Sequence, residues 1–199
     1  MPCMRVAVVL VIALAVTSCG GRGPEIPPFA RAQIPHATPD KRWFGEGRLE
    51  LVAPGKRLSC TALVRGLGHG QARLALVSDE GVLLADLTAG PAGCTVNQKL
   101  AAMDRAIPLL ERMLRQAWTA HDGDKPTPSH DRLAASDGLD TRWYGGDPVL
   151  LRAVEGDGLD LEIGDWRPFG DTLLPWAVTG HATLGIVTVT IHLNKVKPL

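Results

Sequence analysis

Residues 187–194 read VTVTIHLN, with Val187, Val189, Ile191 and Leu193 on one parity and Thr188, Thr190, His192 and Asn194 on the other. A period of two sends alternate side chains to opposite faces of a strand, so one face is apolar and the other wet. A chain built from such segments must form a sheet, and the apolar face of that sheet must be covered. His192 falls on the polar face, where solvent accounts for it.

The same period starts at Gly47. Leu49 and Leu51 alternate with Arg48 and Glu50, and Leu58, Cys60, Ala62 and Val64 alternate with Arg57, Ser59, Thr61 and Arg65. Pro54-Gly55 supplies the turn between these runs. Ala72 to Val77 and Val82 to Leu87 flank the polar tip SDEG, so four consecutive antiparallel strands are expected. Strands resume near Thr141 to Gly145 and Val149 to Glu155, and GDG at 156–158 marks a hairpin. Beyond it, Leu159, Leu161 and Ile163 alternate with Asp160, Glu162 and Gly164.

The segment NQKLAAMDRAIPLLERMLRQAW breaks this rhythm. Leu100, Met103, Ile107, Leu110, Leu114 and Trp118 recur at spacings of three and four, which lays one apolar stripe along a helix. Asn97 is placed to cap it. Pro108 cannot sit inside an unbroken helix, so the expectation is a short helix, a bend, and a longer helix from Pro108 to Ala120. The polar stretch that follows holds His121, Asp122, Asp124, His130 and Asp131; their spacing matches no metal site, and a solvated loop accounts for them.

A strongly twisted sheet of about nine or more strands curls, and the helical segment is the element with a stripe to match its apolar face. The expected fold is mainly β (α+β): a curved antiparallel sheet forming an unclosed barrel, capped by a proline-bent helical segment.

The N-terminus constrains the address. Arg5 precedes an apolar run from Val6 to Val16, which is shorter than the roughly 20 residues that cross a bilayer. A positive start, a short apolar run and small residues compose a secretory signal. Val16, Thr17 and Ser18 before Cys19 resemble the bacterial lipobox, which implies a signal peptide over 1–18 and lipidation at Cys19. Residues 19–40 then read as a Pro- and Gly-rich tether, and residues 41–199 as one domain. Gly20 and Gly21 follow the cysteine, where an Asp would resemble an inner-membrane retention signal, so the outer membrane, at its periplasmic face, is the expected location.

The chain carries 21 basic and 21 acidic residues, so no long-range field steers it to nucleic acid. With the signal removed and Cys19 acylated, Cys60 and Cys94 remain. In an oxidising compartment they are a disulfide candidate, worth about 3–4 kcal/mol; alternatively Cys60 packs as a small apolar residue.

Several stretches taken in order resemble the LolB and LolA family of bacterial lipoprotein carriers. RWFGEGRLEL is similar to the family's opening strand, ARLALVSDEGVLLADL to its paired strands, AIPLLERMLRQAW to its bent lid helix, and LLPWAVTGHATLGIVTVTIHLNKVK to its closing strands. The resemblance implies an apolar cavity that takes the acyl part of a lipoprotein, and a lipid-anchored member would stand nearer LolB, the outer-membrane receptor. It differs from that receptor at the tip Ser78 to Gly81, which is polar where an apolar residue is expected.

The candidate acyl-lining residues are Leu49, Leu51, Leu58, Leu74, Leu76, Met103, Ile107, Leu110, Leu114, Trp118, Leu159, Leu161, Ile163, Val187, Val189 and Ile191, helped by Met113. Expected partners are the membrane, through the N-terminal lipid, acyl chains or lipoproteins as cargo, and a soluble periplasmic carrier, with the chain itself a monomer. No cofactor or metal is expected. The alternative is a non-transporting assembly accessory that binds a protein partner through Trp166, Phe169 and Trp176 in DWRPFGDTLLPW. No GxSxG, HExxH or phosphate-binding loop is present, so an enzyme is not expected.

Overall fold

The structure is a computed structural model, and it describes residues 41–119, 126–129, 132–136, 138–146, 148–156, 158–182 and 186–199. The expected signal over 1–18, Cys19, the expected tether over 19–40 and residues His121, Asp122, Asp124, His130 and Asp131 lie outside these.

The chain forms β1 (Trp43–Ala53), β2 (Lys56–Gly68), β3 (Gln71–Val77), β4 (Leu83–Gly90) and β5 (Gly93–Lys99), then a 3-10 turn (Ala101–Met103) and α1 (Ile107–Trp118). Seven strands follow: β6 (Thr127–Ser129), β7 (Arg132–Ser136), β8 (Thr141–Gly145), β9 (Leu150–Gly156), β10 (Leu159–Phe169), β11 (Thr172–Ala182) and β12 (Val187–Pro198). All are in one 12-stranded sheet of order β5-β4-β3-β2-β1-β12-β11-β10-β9-β8-β7-β6. The first strand pairs with the last, Leu49 opposite Ile191, which joins the two hairpin series into one sheet. The outer strands β5 and β6 end that order and do not close on each other.

Curvature comes from local irregularities. Register shifts occur at Glu46/Gly47, Gly66/Gly68, Leu76/Val77 and Asp86/Leu87, and again at Trp143/Tyr144. Each extra residue bends its strand and adds right-handed twist. In a flat sheet the six spacings from β4 to β10 would span about 29 Å at ~4.8 Å per spacing, far more than a helix's ~10–12 Å width. Yet α1 touches β3, β4 and β5 on one wing and β10 and β11 on the other. The sheet is therefore curled around α1 as an open half-barrel.

Glycines of β1 and β2 let Trp43 and the neighbouring strand pack closely. A Cβ at Gly66 would run into the Trp43 indole, one at Gly45 would meet Trp43 Cζ3 at 3.2 Å, and one at Gly47 would collide with the His192 carbonyl of the neighbouring strand. Trp43 is fully buried as a result.

Several expectations are corrected. Asn97 does not cap the helix: it lies in β5, where its side-chain amide donates to Thr88 Oγ1 at 2.9 Å and Asp86 Oδ1 at 3.3 Å, and Leu100 stands at the start of the 3-10 turn. Leu100 is 39% exposed and leaves the apolar stripe. The helical segment itself follows the expected order of a short helix, here the 3-10 turn, then a bend and a longer helix, with Pro108 in the first turn of α1, where its missing N–H has no partner to lose. Part of the polar stretch after α1 is not loop, since β6 and β7 pair there with Thr127 opposite Ala134. The stretch that holds Trp166, Phe169 and Trp176 forms the hairpin of β10 and β11, with Phe169 opposite Thr172.

Candidate functional site

The concave face of the half-barrel and the buried face of α1 form the site. Leu49 comes from β1, Leu74 and Leu76 from β3, Leu161 and Ile163 from β10, Val178 from β11, and Val189 and Ile191 from β12. Against them α1 presents Ile107, Leu109, Leu110, Met113, Leu114 and Trp118, all buried. Of the sixteen residues expected to line the site, Leu51, Leu58 and Val187 are half-buried and packed against the core, and the others, Met103 and Leu159 included, are buried in it.

The three half-buried residues mark an edge. Leu51 sits opposite Leu58 on β2 and opposite Val189 on β12, beside the Pro54-Gly55 turn. Val187 begins β12, next to Ile186, which is 53% exposed. The apolar lining therefore reaches solvent at the β1–β2 end of the concave face. At the other end the sheet is plugged by Trp43.

α1 is seated directly on β11. A Cβ on Gly180 would meet Leu109 Cδ1 at 2.8 Å and Met113 Sδ at 3.1 Å, so only glycine lets the helix this close. At the helix C-terminus Trp118 Nε1 donates to the Pro175 carbonyl at 3.3 Å, and Thr119 Oγ1 donates back to the Arg115 carbonyl at 2.6 Å. Leu109 and Gly180 were not anticipated: Leu109 falls outside the counted stripe, and a glycine shows its role only when its neighbour across the sheet is known.

A polar cluster, also not anticipated, fastens α1 to the segment before β8. Arg112 and Gln116, one turn apart on the helix, both reach Asp140; Arg112 makes an ion pair with Oδ1 and Gln116 Nε2 donates to Oδ2 at 2.9 Å. Asp140 is buried, and a partnered carboxylate is what burial of a charge requires. The four-residue spacing of Arg112 and Gln116 is visible in the sequence, but their partner is distant along the chain.

Cys60 and Cys94 are free thiols in the structure, which corrects the disulfide expectation. β2 and β5 are separated by β3 and β4, about 14 Å at ~4.8 Å per spacing, whereas bridged Cα atoms stand less than about 7 Å apart. Cys60 is instead fully buried as a small core residue, and that burial pushes its thiol up to about 11. Desolvation raises the half-buried Cys94 thiol as well.

Trp166, Phe169 and Trp176 pack against the core rather than standing out as a contact patch. Arg167 lies over the Trp176 ring at 4.2 Å and is held by Asp165 through bonds of 2.9 and 2.7 Å. That hydrogen-bonded guanidinium keeps the Asp165 carboxyl below the usual carboxylate range, with His192 at 3.5 Å adding to it. His192 is exposed on the polar face, as its parity predicts.

The tip between β3 and β4 is the turn expected from SDEG: Ser78 N donates to the Val82 carbonyl at 2.8 Å and Gly81 N to the Ser78 carbonyl at 3.0 Å. The apolar Val82 stands beside it, 49% exposed. Among the described residues no group of three or more His, Cys, Asp or Glu is placed to hold a metal, and no helix is long and apolar enough to cross a membrane.

No protein-family model matches the chain, and no curated protein matches it. Solved structures do. A LolA superfamily protein from Nitrosomonas europaea superposes with a TM-score of 0.53 at 9% identity, covering 81% of this chain and 87% of that one. A candidate outer membrane lipoprotein-sorting protein domain from Vibrio parahaemolyticus gives 0.48 at 10% identity, covering 80% and 86%. A DUF1329 family protein from Desulfovibrio piger gives 0.44 at 10% identity, covering 79% and 85%. At such identities the likeness is one of fold alone, and the fold of this chain is similar to that of the LolA superfamily protein from Nitrosomonas europaea.

Proposed function

We infer that this protein is an acyl-chain carrier or receptor held at the periplasmic face of the outer membrane by lipid on Cys19. Residues 19–40 act as its tether, and the acyl part of a lipidated protein, handed on by a soluble periplasmic carrier, is its cargo. The observation that carries this reading is the seat of α1: an amphipathic helix lies on the concave face of a sheet whose edges β5 and β6 stay unpaired with each other. Lifting such a helix breaks no inter-strand hydrogen bond.

At Gly180 helix and sheet are already in van der Waals contact, so cargo enters by displacing α1. The half-buried edge at Leu51, Leu58 and Val187 gives it an apolar point of entry. Each methylene transferred from water contributes about 0.8 kcal/mol, and a long acyl chain thereby offsets the loss of the helix contacts it replaces. No reacting group is needed.

Uptake of a fluorescent fatty acid by the chain from Gly20 onward tests the cargo reading. The expected result is saturable binding that a Leu51→Asp/Leu58→Asp variant loses. Absence of uptake by the parent, together with no co-purifying lipid in mass spectrometry, would defeat it. The mass of the N-terminal peptide from cells tests the anchor separately.

A further inference from the structure

The outer, convex face carries a feature that carrying cargo inside the barrel does not use. Arg73 on β3 is opposite Arg65 on β2, Arg65 is opposite Phe44 on β1, and Phe44 is opposite Lys197 on β12. Cross-strand partners share a face, so these four side chains form one row across four strands. Arg65 stands 5.6 Å from the centre of the Phe44 ring and Lys197 Nζ 5.4 Å from it, so one ring serves two cations.

Like charges directly opposite each other on a sheet repel. Arg73 is relieved by Asp86, which accepts from Nε at 2.8 Å and from Nη2 at 2.5 Å. Arg65 and Lys197 have no carboxylate partner among the described residues; Glu46, the nearest acidic position in register, lies in the next row, opposite Lys195 and Leu63. Between the two guanidiniums the surface dips into a shallow hollow of about 160 Å³ lined by Leu63, Arg65, Arg73 and Ala75. Arg65 and Lys197, two exposed cations that share the Phe44 ring and have no carboxylate among the described residues, beside a small apolar floor, fit a ligand that brings its own negative charge.

The geometry points to the phosphate groups of an anionic phospholipid bilayer as that ligand. Arg65 and Lys197 meet headgroup phosphates on either side of Phe44, at the interface where aromatic rings and cations are favoured together, and Arg73, already paired with Asp86, borders the hollow. The row lies at the end of β1 where the chain emerges from residues 19–40, since Phe44 is three residues past Lys41. A bilayer contact there shortens the path from anchor to domain. The inference rests on the anchored reading only for the protein's presence at a membrane.

The test uses the chain from Gly20 onward without lipid, which keeps every residue of the described core, sedimented with phosphatidylcholine vesicles with or without phosphatidylglycerol. Binding is expected only to the anionic vesicles, and is expected to fall steeply with salt. The double variant Arg65→Gln/Lys197→Gln should lower partitioning about 25-fold, about fivefold for each cation removed. Both side chains are exposed, so its urea midpoint should match the parent's, and its fatty-acid uptake should be unchanged. Equal binding to both vesicle types, or a double variant that partitions like the parent, would overturn the assignment. So would tight binding of glycerol phosphate in the absence of vesicles, which would identify a soluble ligand instead. A parent that binds anionic vesicles yet takes up no fatty acid would leave this site standing and remove only the carrier reading.

Discussion

Trp118, the last residue of α1, donates its indole N–H to the carbonyl of Pro175 on β11 at 3.3 Å, fully buried. It joins the helix end to the sheet through an acceptor whose own residue has no N–H to offer. Trp118→Phe keeps most of the ring and loses this bond, for an expected cost of about 1–2 kcal/mol. Trp43 is equally buried, but its indole N–H has no partner among the described residues. Trp43→Phe should cost less than Trp118→Phe. Urea denaturation of both variants ranks them, and the reverse order would contradict the structure.

Three glycines offer a graded test of close packing. Gly47→Ala sets a methyl group against the His192 backbone, Gly66→Ala sets one against the rigid Trp43 ring, and Gly180→Ala meets only the ends of flexible Leu109, Leu161 and Met113 side chains. Overpacking of yielding side chains costs about 1–3 kcal/mol, and the two rigid sites should exceed Gly180→Ala. Because Gly180→Ala pushes directly on α1, it should also speed fatty-acid uptake if the helix is the moving part. Stopped-flow fluorescence measures the rate.

Asp140 is the buried acceptor for Arg112 and Gln116. Asp140→Ala leaves the mostly buried Arg112 guanidinium without its carboxylate, and breaking a pair from one side costs about 3 kcal/mol or more. Thermal unfolding of the variant, compared with Arg112→Met/Asp140→Leu, should show the double replacement recovering much of the loss.

Acid stability should report Asp86. The Arg73 guanidinium, with Asn97, holds this buried carboxyl below its ordinary value. A depressed carboxylate contributes stability that is complete above the unfolded value of about 3.9 and is lost as pH falls through the lower folded value. Asp86→Asn should therefore cost about 1–2 kcal/mol at neutral pH and flatten the fall in stability below pH ~4. Chemical denaturation across that range checks both, and an unchanged acid slope would count against the assignment.

The thiols give a chemical check. In the chain from Gly20 onward without reductant, Ellman's reagent should find both Cys60 and Cys94 free after unfolding. In the folded protein Cys94 should react first, since Cys60 is fully buried and its thiol is raised to about 11. A single oxidised pair would overturn the strand order that separates β2 from β5.

Individual strands were legible because burial of one face writes itself into alternate positions, as at Val189, Ile191 and Leu193. The helix was legible for the same reason at a different period. β5 was not, because in GCTVNQK the only apolar positions, Cys94 and Val96, are half-buried at a sheet edge and the outer face is polar. β11 was not legible from its own period, which Pro175 and the aromatics interrupt, and only the resemblance of LLPWAVTGHATLGIVTVTIHLNKVK to the closing strands pointed to it. Which residues are buried on the concave face could be read almost residue by residue, whereas the fastenings of the helix could not: Trp118 with Pro175, Arg112 and Gln116 with Asp140, and Gly180 beneath Met113 are each formed by elements far apart in sequence.

By itself, then, the sequence determined a twisted, one-sided antiparallel sheet with a single amphipathic helix to cover it, because period and turn chemistry are local properties. Tertiary structure alone decided that β1 pairs with β12, that the sheet curls until both wings reach α1, and that four outward side chains line up as the row from Arg73 to Lys197. These depend on contacts between residues tens of positions apart, and for β1 with β12 more than a hundred, and no short window of local pattern contains both members of such a contact.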